Sequence, residues 1–151
     1  MDSGTQTTFL TPTFGEGFIE DHAGKILTHP DIAIVELVAN SWDAGATKVD
    51  IIWPTEINGV FQIRDNGSGM TKEEFESIWP ELTYNRVKKQ GIKVQFPESS
   101  TKRVRSAYGR NGKGRHSLFC FSKDYFVETW KEDIASQFQI KRSHGKLPYE
   151  I

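Results

Sequence analysis

The chain predicts an α+β domain, a two-layer sandwich with helices on one face of a mainly antiparallel sheet. Three observations carry that expectation. "PDIAIVELVANSWDAG" has helical apolar spacing between a proline start and a glycine stop. "TKVDIIW" and "GVFQIR" alternate on either side of Pro54–Asn58, as the arms of a β-hairpin do. "DYFVETWKED" and "SQFQIKRS" add two more alternating stretches late in the chain. With 151 residues there is enough chain for one domain with a core.

Residues 1–14 are polar and Thr-rich and read as a flexible arm ahead of a domain over 15–151. "GEGFIEDHAGKIL" predicts a helix from about Glu16 to Leu27, weakened by Gly17 and Gly24. Pro30 opens the next helix, at the first turn where a missing N–H costs nothing. That helix runs to about Asp43 and stops at Gly45. In "TKVDIIW", Val49, Ile51 and Trp53 share one face. Asn66-Gly67 alone would suggest another hairpin, but Thr71 with Glu74 forms a capping box, so "TKEEFESIW" is a helix. Residues 83–108 show no apolar period and read as a long mobile loop, a feature that is usually functional in a compact domain. "GRNGKGRHSLFCF" is a glycine turn feeding a helix, and the two late strands follow. Trp42, Trp53 and Trp79 fall at positions expected to be buried. The end at "KLPYEI" reads as a cut after the last strands, so the domain is expected to be the N-terminal part of a longer protein.

Charge is distributed unevenly. Between Arg86 and Arg115 lie ten Lys or Arg and one acid, Glu98, leaving nine bases against nineteen acids elsewhere. A basic stretch inside an acidic domain expects an anionic partner. No secretory signal and no run of about 20 apolar residues is visible, which excludes a membrane-spanning role. A single cysteine, Cys120, allows no internal disulfide and fits a reducing, cytoplasmic setting.

The helix opened by Pro30 carries the first candidate chemistry. With Glu36 at zero and 100° per residue, Asn40 falls at about 40° and Asp43 at about −20°. Ala33 and Ala39 border this stripe, while Ile34, Leu37, Val38 and Ser41 occupy the opposite arc and can pack on the sheet. A solvated face is one reading. The other is a groove with a base and hard oxygen ligands suited to Mg²⁺, favoured by the choice of Asn and Asp, poor helix formers, over Lys or Gln.

Two glycine turns follow. "RDNGSGM" sets Asp65 at a strand end, where its carboxylate can accept from an exocyclic amine such as adenine's; Gly67 and Gly69 let the backbone come close. An ordinary Asp-Asn-Gly turn is the alternative. "YGRNGKGRHS" places Gly109, Gly112 and Gly114 before a helix, with Arg110, Lys113 and Arg115 adding positive charge for a phosphate. It is neither a Walker A loop nor the G-x-G-x-x-G dinucleotide fingerprint, and its spacing alone leaves phosphate binding open. His116 and Cys120, four apart, could ligate a metal or simply pack.

In order, "ELVANSWDAGA", "DNGSGM" and "GRNGKG" resemble the N-box and two glycine boxes of the GHKL ATPase superfamily. Its members include DNA gyrase B, the large heat-shock chaperone, histidine kinases, MutL and MORC ATPases. The resemblance runs from about Phe18 to Trp130, and "NSWDAGAT" leans towards the MutL, MORC and topoisomerase VI branch. It implies the Bergerat sandwich, with ATP or ADP between helices and glycine turns. By it Glu36 is the general base, Asn40 the Mg²⁺ ligand and Asp43 a site-lining group acting through water. Asp65 binds the adenine amine, with Gly67, Gly69 and Met70 beside it. Gly109, Arg110, Asn111, Gly112, Lys113 and Gly114 hold the phosphates, and residues 83–108 are the ATP lid.

Two departures temper the implied activity. No Gly-Thr follows Thr129, where relatives use one to help fix the adenine, and several relatives bring a lysine from a second domain to the terminal phosphate, whereas this sequence reads as cut at "KLPYEI". The expectation is a Mg²⁺-dependent ATPase that turns over slowly as an isolated domain. It would switch the conformation or dimerisation of a larger protein, with nucleic acid a partner class of the full-length chain. The competing readings are a non-enzymatic nucleotide sensor or DNA-binding module, and a histidine kinase catalytic domain. The kinase requires an upstream dimerisation helix with a phosphoacceptor histidine, for which the residues before the first helix leave little room.

Overall fold

The structure, a computed structural model, describes residues 14, 17–82, 88–89, 91–94, 96–97, 104–109, 112–143 and 147–151. Helix α1, Phe18–Ala23, continues as a 3-10 turn, Gly24–Leu27, and the change falls at Gly24 with φ +56°. Helix α2, Pro30–Asp43, has Pro30 at its first position. It ends in a Schellman motif: Ala46 N–H donates to Ser41 O, Gly45 N–H donates to Trp42 O, and Gly45 has φ +79°. Strands β1, Val49–Ile52, and β2, Gln62–Asp65, pair antiparallel with Val49 opposite Asp65 and Ile52 opposite Gln62. Helix α3, Lys72–Ile78, starts with the expected capping box. Glu74 N–H donates to Thr71 Oγ1 (3.2 Å), and Thr71 N–H donates to Glu74 Oε2 (2.8 Å).

After a 3-10 helix over Lys113–Cys120 come β3, Asp124–Lys131, β4, Ile134–Arg142, and the short β5, Tyr149–Glu150. Among the described residues the strands form two antiparallel sheets, β1–β2 and β3–β4–β5, where sequence reading predicted one. Strand β4 begins two residues earlier than predicted. Glu132 and Asp133, with φ of +54° and +60°, make a two-residue turn between Lys131 and Ile134. Both central residues of a type I′ turn need positive φ, and without glycine or asparagine the sequence carried little signal of it.

The core lies between the helices and the inner face of β3–β4. Tyr125 of β3 and Ile140 of β4 are register partners and both are buried. Phe75 of α3 stacks on Phe138 of β4 at 3.7 Å between centroids. Ile19, Ala23, Leu27, Phe119 and Tyr149 complete the cluster. Burial of this kind stabilises by roughly 25 cal/mol per Å² of apolar surface.

The tryptophan expectation needs correcting. Trp79 packs against the core, but Trp42 is 45% and Trp53 55% exposed. Trp42 sits on the side of α2 away from Glu36, and Arg105 covers its ring; Trp53 packs at a tilt against Phe61 beside the first hairpin. The predicted loop over 83–108 is also not wholly unpaired. Val94 N–H donates to Arg105 O (3.0 Å) and Ala107 N–H to Ile92 O (2.8 Å), around a bridge between Lys93 and Ser106. A three-residue ladder is too short to leave a period in sequence. Residues 83–87, 90, 95 and 98–103 of that loop, and most of the predicted arm, lie outside the described residues.

His116 offers a test of the packing. Its ring is fully buried, beside Tyr149 at 4.9 Å, and finds no hydrogen-bond partner among the described residues. Burial, with help from the charges of Arg115 and His22, lowers its pKa from 6.5 to about 3. The unfolded chain therefore takes up a proton below 6.5 that the folded one refuses, and stability present above that pH is lost as pH falls towards 3. The expected slope from this group is roughly 1.4 kcal/mol per pH unit. Urea midpoints between pH 7.5 and 5 for wild type and His116→Phe should differ in slope by about one proton.

Candidate nucleotide site

The first glycine turn is locked to the end of α2. Asp65, the last residue of β2, accepts from Ser41 Oγ (3.1 Å) and from Gly67 N–H (2.8 Å). Ser68 N–H donates to Ala44 O (2.8 Å), just past the helix. A Cβ on Gly67 would lie 2.7 Å from the Ala44 Cβ and 2.8 Å from Asp65 Oδ1, so glycine is required for this close approach. Each oxygen of Asp65 takes one hydrogen bond and retains capacity for another acceptor contact.

Strand β3 supports the same turn from the other side. Met70 N–H donates to Thr129 Oγ1 (2.8 Å), and that hydroxyl donates to Met70 O (3.3 Å). Thr129 is buried, and Lys131 of the same strand pairs with Glu74 of α3 at 2.7 Å. Gly69 has φ +64°, and a side chain there would overlap the Trp130 carbonyl oxygen. Gly69→Ala is expected to cost at least about 2 kcal/mol, combining left-handed strain with a backbone clash. Urea denaturation of the variant reads this directly.

The second glycine turn is held by the polar stripe. Tyr108 N–H donates to Asp43 Oδ1 (2.7 Å) and Gly109 N–H to Asp43 Oδ2 (2.8 Å). Asp43 thus grips the backbone of the turn directly. Farther along, Gly112 takes a left-handed φ of +64° to start the 3-10 helix. Gly114 is buried against Glu36, and a side chain there would overlap the Glu36 carboxylate. Burial raises the pKa of Glu36, with a smaller push from the neighbouring charge of Asp43. Asn40 and Lys113 are exposed.

Of the residues singled out in sequence, Glu36 and Asp43 of α2 therefore meet the second turn, while Asp65 and Gly67 of the first turn meet the end of α2 and Gly69 meets β3. Arg110 and Asn111 lie outside the described residues. Arg115 turns away from the expected anion. Its buried guanidinium donates to Gly112 O (2.9 Å) and to the carbonyls of Ile78 and Glu81, joining the turn to the end of α3. Ser41 and Thr129 were missed as site residues. Ser41 does face the packed arc, but a serine in an otherwise aliphatic arc was the available signal that something polar met it there. A cleft lined by Val38, Trp42, Lys48 and Arg105 lies across α2 from this stripe and is separate from it.

The donor set also bears on a metal. Among the described residues no three His, Cys, Asp or Glu side chains group as a cation site, so His116 and Cys120 gain no further ligands. Asn40 on α2 carries an amide oxygen, a donor of the kind that suits Mg²⁺. Helix-borne carboxylates pressed against one glycine turn and a helix serine bonded to the other, on a two-layer α+β frame without a Walker loop, define an ATPase domain of the GHKL type.

Comparison with known proteins agrees: the chain belongs to the histidine kinase-, DNA gyrase B- and HSP90-like ATPase family, whose model matches residues 28–147. It is 31% identical to the DNA mismatch repair protein MutL of Rickettsia rickettsii (strain Sheila Smith) over 123 residues. That match covers 82% of this chain and 18% of the relative. MutL of Rickettsia bellii (strain OSU 85-389) matches at 31% over the same 82% of this chain and 18% of its own length. MutL of Aliivibrio salmonicida (strain LFI1238) is 48% identical over 52 residues, 34% of this chain and 8% of that protein. The chain thus spans under a fifth of the length of these relatives. No described helix is long and apolar enough to cross a membrane.

Proposed function

We propose that this domain binds ATP with Mg²⁺ between α2 and the two glycine turns and hydrolyses it slowly, as the N-terminal switch of a larger protein. One observation carries the reading: a single helix touches both turns, through Ser41 to Asp65 and through Glu36 and Asp43 to Gly114 and Gly109. Asp65 accepts from the adenine amine, with Gly69 and Met70 beside the base. Arg110, Asn111, Gly112, Lys113 and Gly114 receive the phosphates on backbone N–H groups and positive charge, and Gly109, its own N–H held by Asp43, sets where that turn begins. Glu36, its basicity raised by burial, orients the attacking water and takes its proton. Asn40 offers one oxygen to Mg²⁺, which when bound neutralises phosphate charge. No nucleophilic serine or cysteine is needed, because such transfer depends mainly on positioning and charge stabilisation.

The domain extends over 15–151, with residues 83–108 as its lid, and ATP binding favours pairing of two copies. The DNA mismatch repair relatives support nucleic acid as a partner of the longer protein, and the single cysteine fits a cytoplasmic setting. Calorimetric titration with ATP, ADP and GTP, with and without Mg²⁺, tests the site. ATP and ADP should bind, and GTP should bind far more weakly, since guanine presents an oxygen to Asp65 where adenine presents an amine. Absence of ATP binding, or equal affinity for GTP, would overturn the assignment.

A further inference from the structure

The geometry points to Arg105 as a positioning residue that sets the second glycine turn on α2, an inference that deepens the ATP-site reading above. Arg105 Nη2 donates to Trp42 O (2.6 Å) and to Ala46 O (2.8 Å), spanning the Schellman turn that ends the helix. Its guanidinium carbon lies 3.9 Å from the centre of the Trp42 ring and 4.8 Å from that of Phe96. The contact is returned, because Trp42 Nε1 donates to Ser106 O (3.0 Å).

These anchors occupy the residues beside the site. Trp42 precedes Asp43, whose carboxylate receives Tyr108 and Gly109 N–H, only three and four residues after Arg105. Two neighbouring stretches of backbone, 42–46 and 105–109, are therefore riveted at both ends: Arg105 and Trp42 at one, Asp43 at the other. A cation at the C-terminal end of α2 also meets the negative end of the helix dipole. Guanidinium can bridge two carbonyls and lie flat on an indole at once, which an ammonium cannot. The rivet fixes where Gly109 enters the turn that continues to Gly114, against Glu36.

The test compares Arg105→Ala, Arg105→Lys and the milder Trp42→Phe, which keeps a ring but loses the indole donor. Hydrogen exchange without nucleotide should quicken at least about tenfold for peptides covering Tyr108 and Gly109 in Arg105→Ala, with α3 and β3–β4 unchanged. Unaltered exchange at 108–109 would overturn the anchor, whether or not the protein binds ATP. Calorimetry on the same variants should show ATP affinity falling at least about tenfold for Arg105→Ala at a near-parental melting temperature. Arg105→Lys should share the loss, and full rescue by lysine would overturn the need for a guanidinium stacked on Trp42. Trp42→Phe should quicken the same peptides less than Arg105→Ala does; the reverse order would overturn the primacy of Arg105. Wild type failing to bind ATP would refute the functional reading, while the exchange data would still decide the anchor.

Discussion

Glu36→Ala should lower the turnover of ATP hydrolysis by at least about 100-fold while changing ATP affinity by less than about threefold. The carboxylate lies against Gly114, held partly buried beside Asp43, and both influences raise its pKa. A group in that state is a stronger base than a solvated glutamate and loses little by giving up its charge. Glu36→Gln should therefore fold at least as stably as the wild type, since it removes a partly buried charge next to another carboxylate. Single-turnover hydrolysis beside calorimetric titration separates the two effects. Turnover surviving in Glu36→Ala would remove Glu36 from the mechanism. ATP binding with no turnover in the wild type would favour a nucleotide sensor over an enzyme.

The second large effect is expected at Asp65. In Asp65→Asn the side-chain oxygen can still accept from Gly67 N–H, and the amide can donate to Ser41 Oγ, so the turn persists. The amide then presents hydrogens where the adenine amine also presents hydrogens. A site built for one hydrogen-bond polarity rejects the other strongly, and a fall in ATP affinity of about 100-fold is expected. The melting temperature should stay within a few degrees of wild type. Retained affinity in a folded Asp65→Asn would move the base elsewhere.

Both effects depend on contacts that are very differently written in the chain. The start of α2 at Pro30, its stop at Gly45 and the capping box of Thr71 with Glu74 each involve residues within a few positions of one another. Propensity, capping and hydrogen bonding act at that range, and the three site segments could be found there as well. The fate of Arg115 could not. Its charge beside three glycines suggested an anion, yet the carbonyls of Ile78 and Glu81, more than thirty residues earlier, draw it inward. Trp42 shows the same limit, since burial was the expectation for its ring and a guanidinium from residue 105 covers it instead.

The sequence by itself determined the helices, the glycine turns, the strand alternation and the family, because local steric and hydrogen-bond preferences decide these. Tertiary structure alone decided that Asp43 grips the second turn, that Ser41 meets Asp65, and that Thr129 braces Gly69 and Met70. Those partners stand 66, 24 and 59 residues apart. At such separations a side chain's direction follows from how the layers pack, and no short-range preference encodes it.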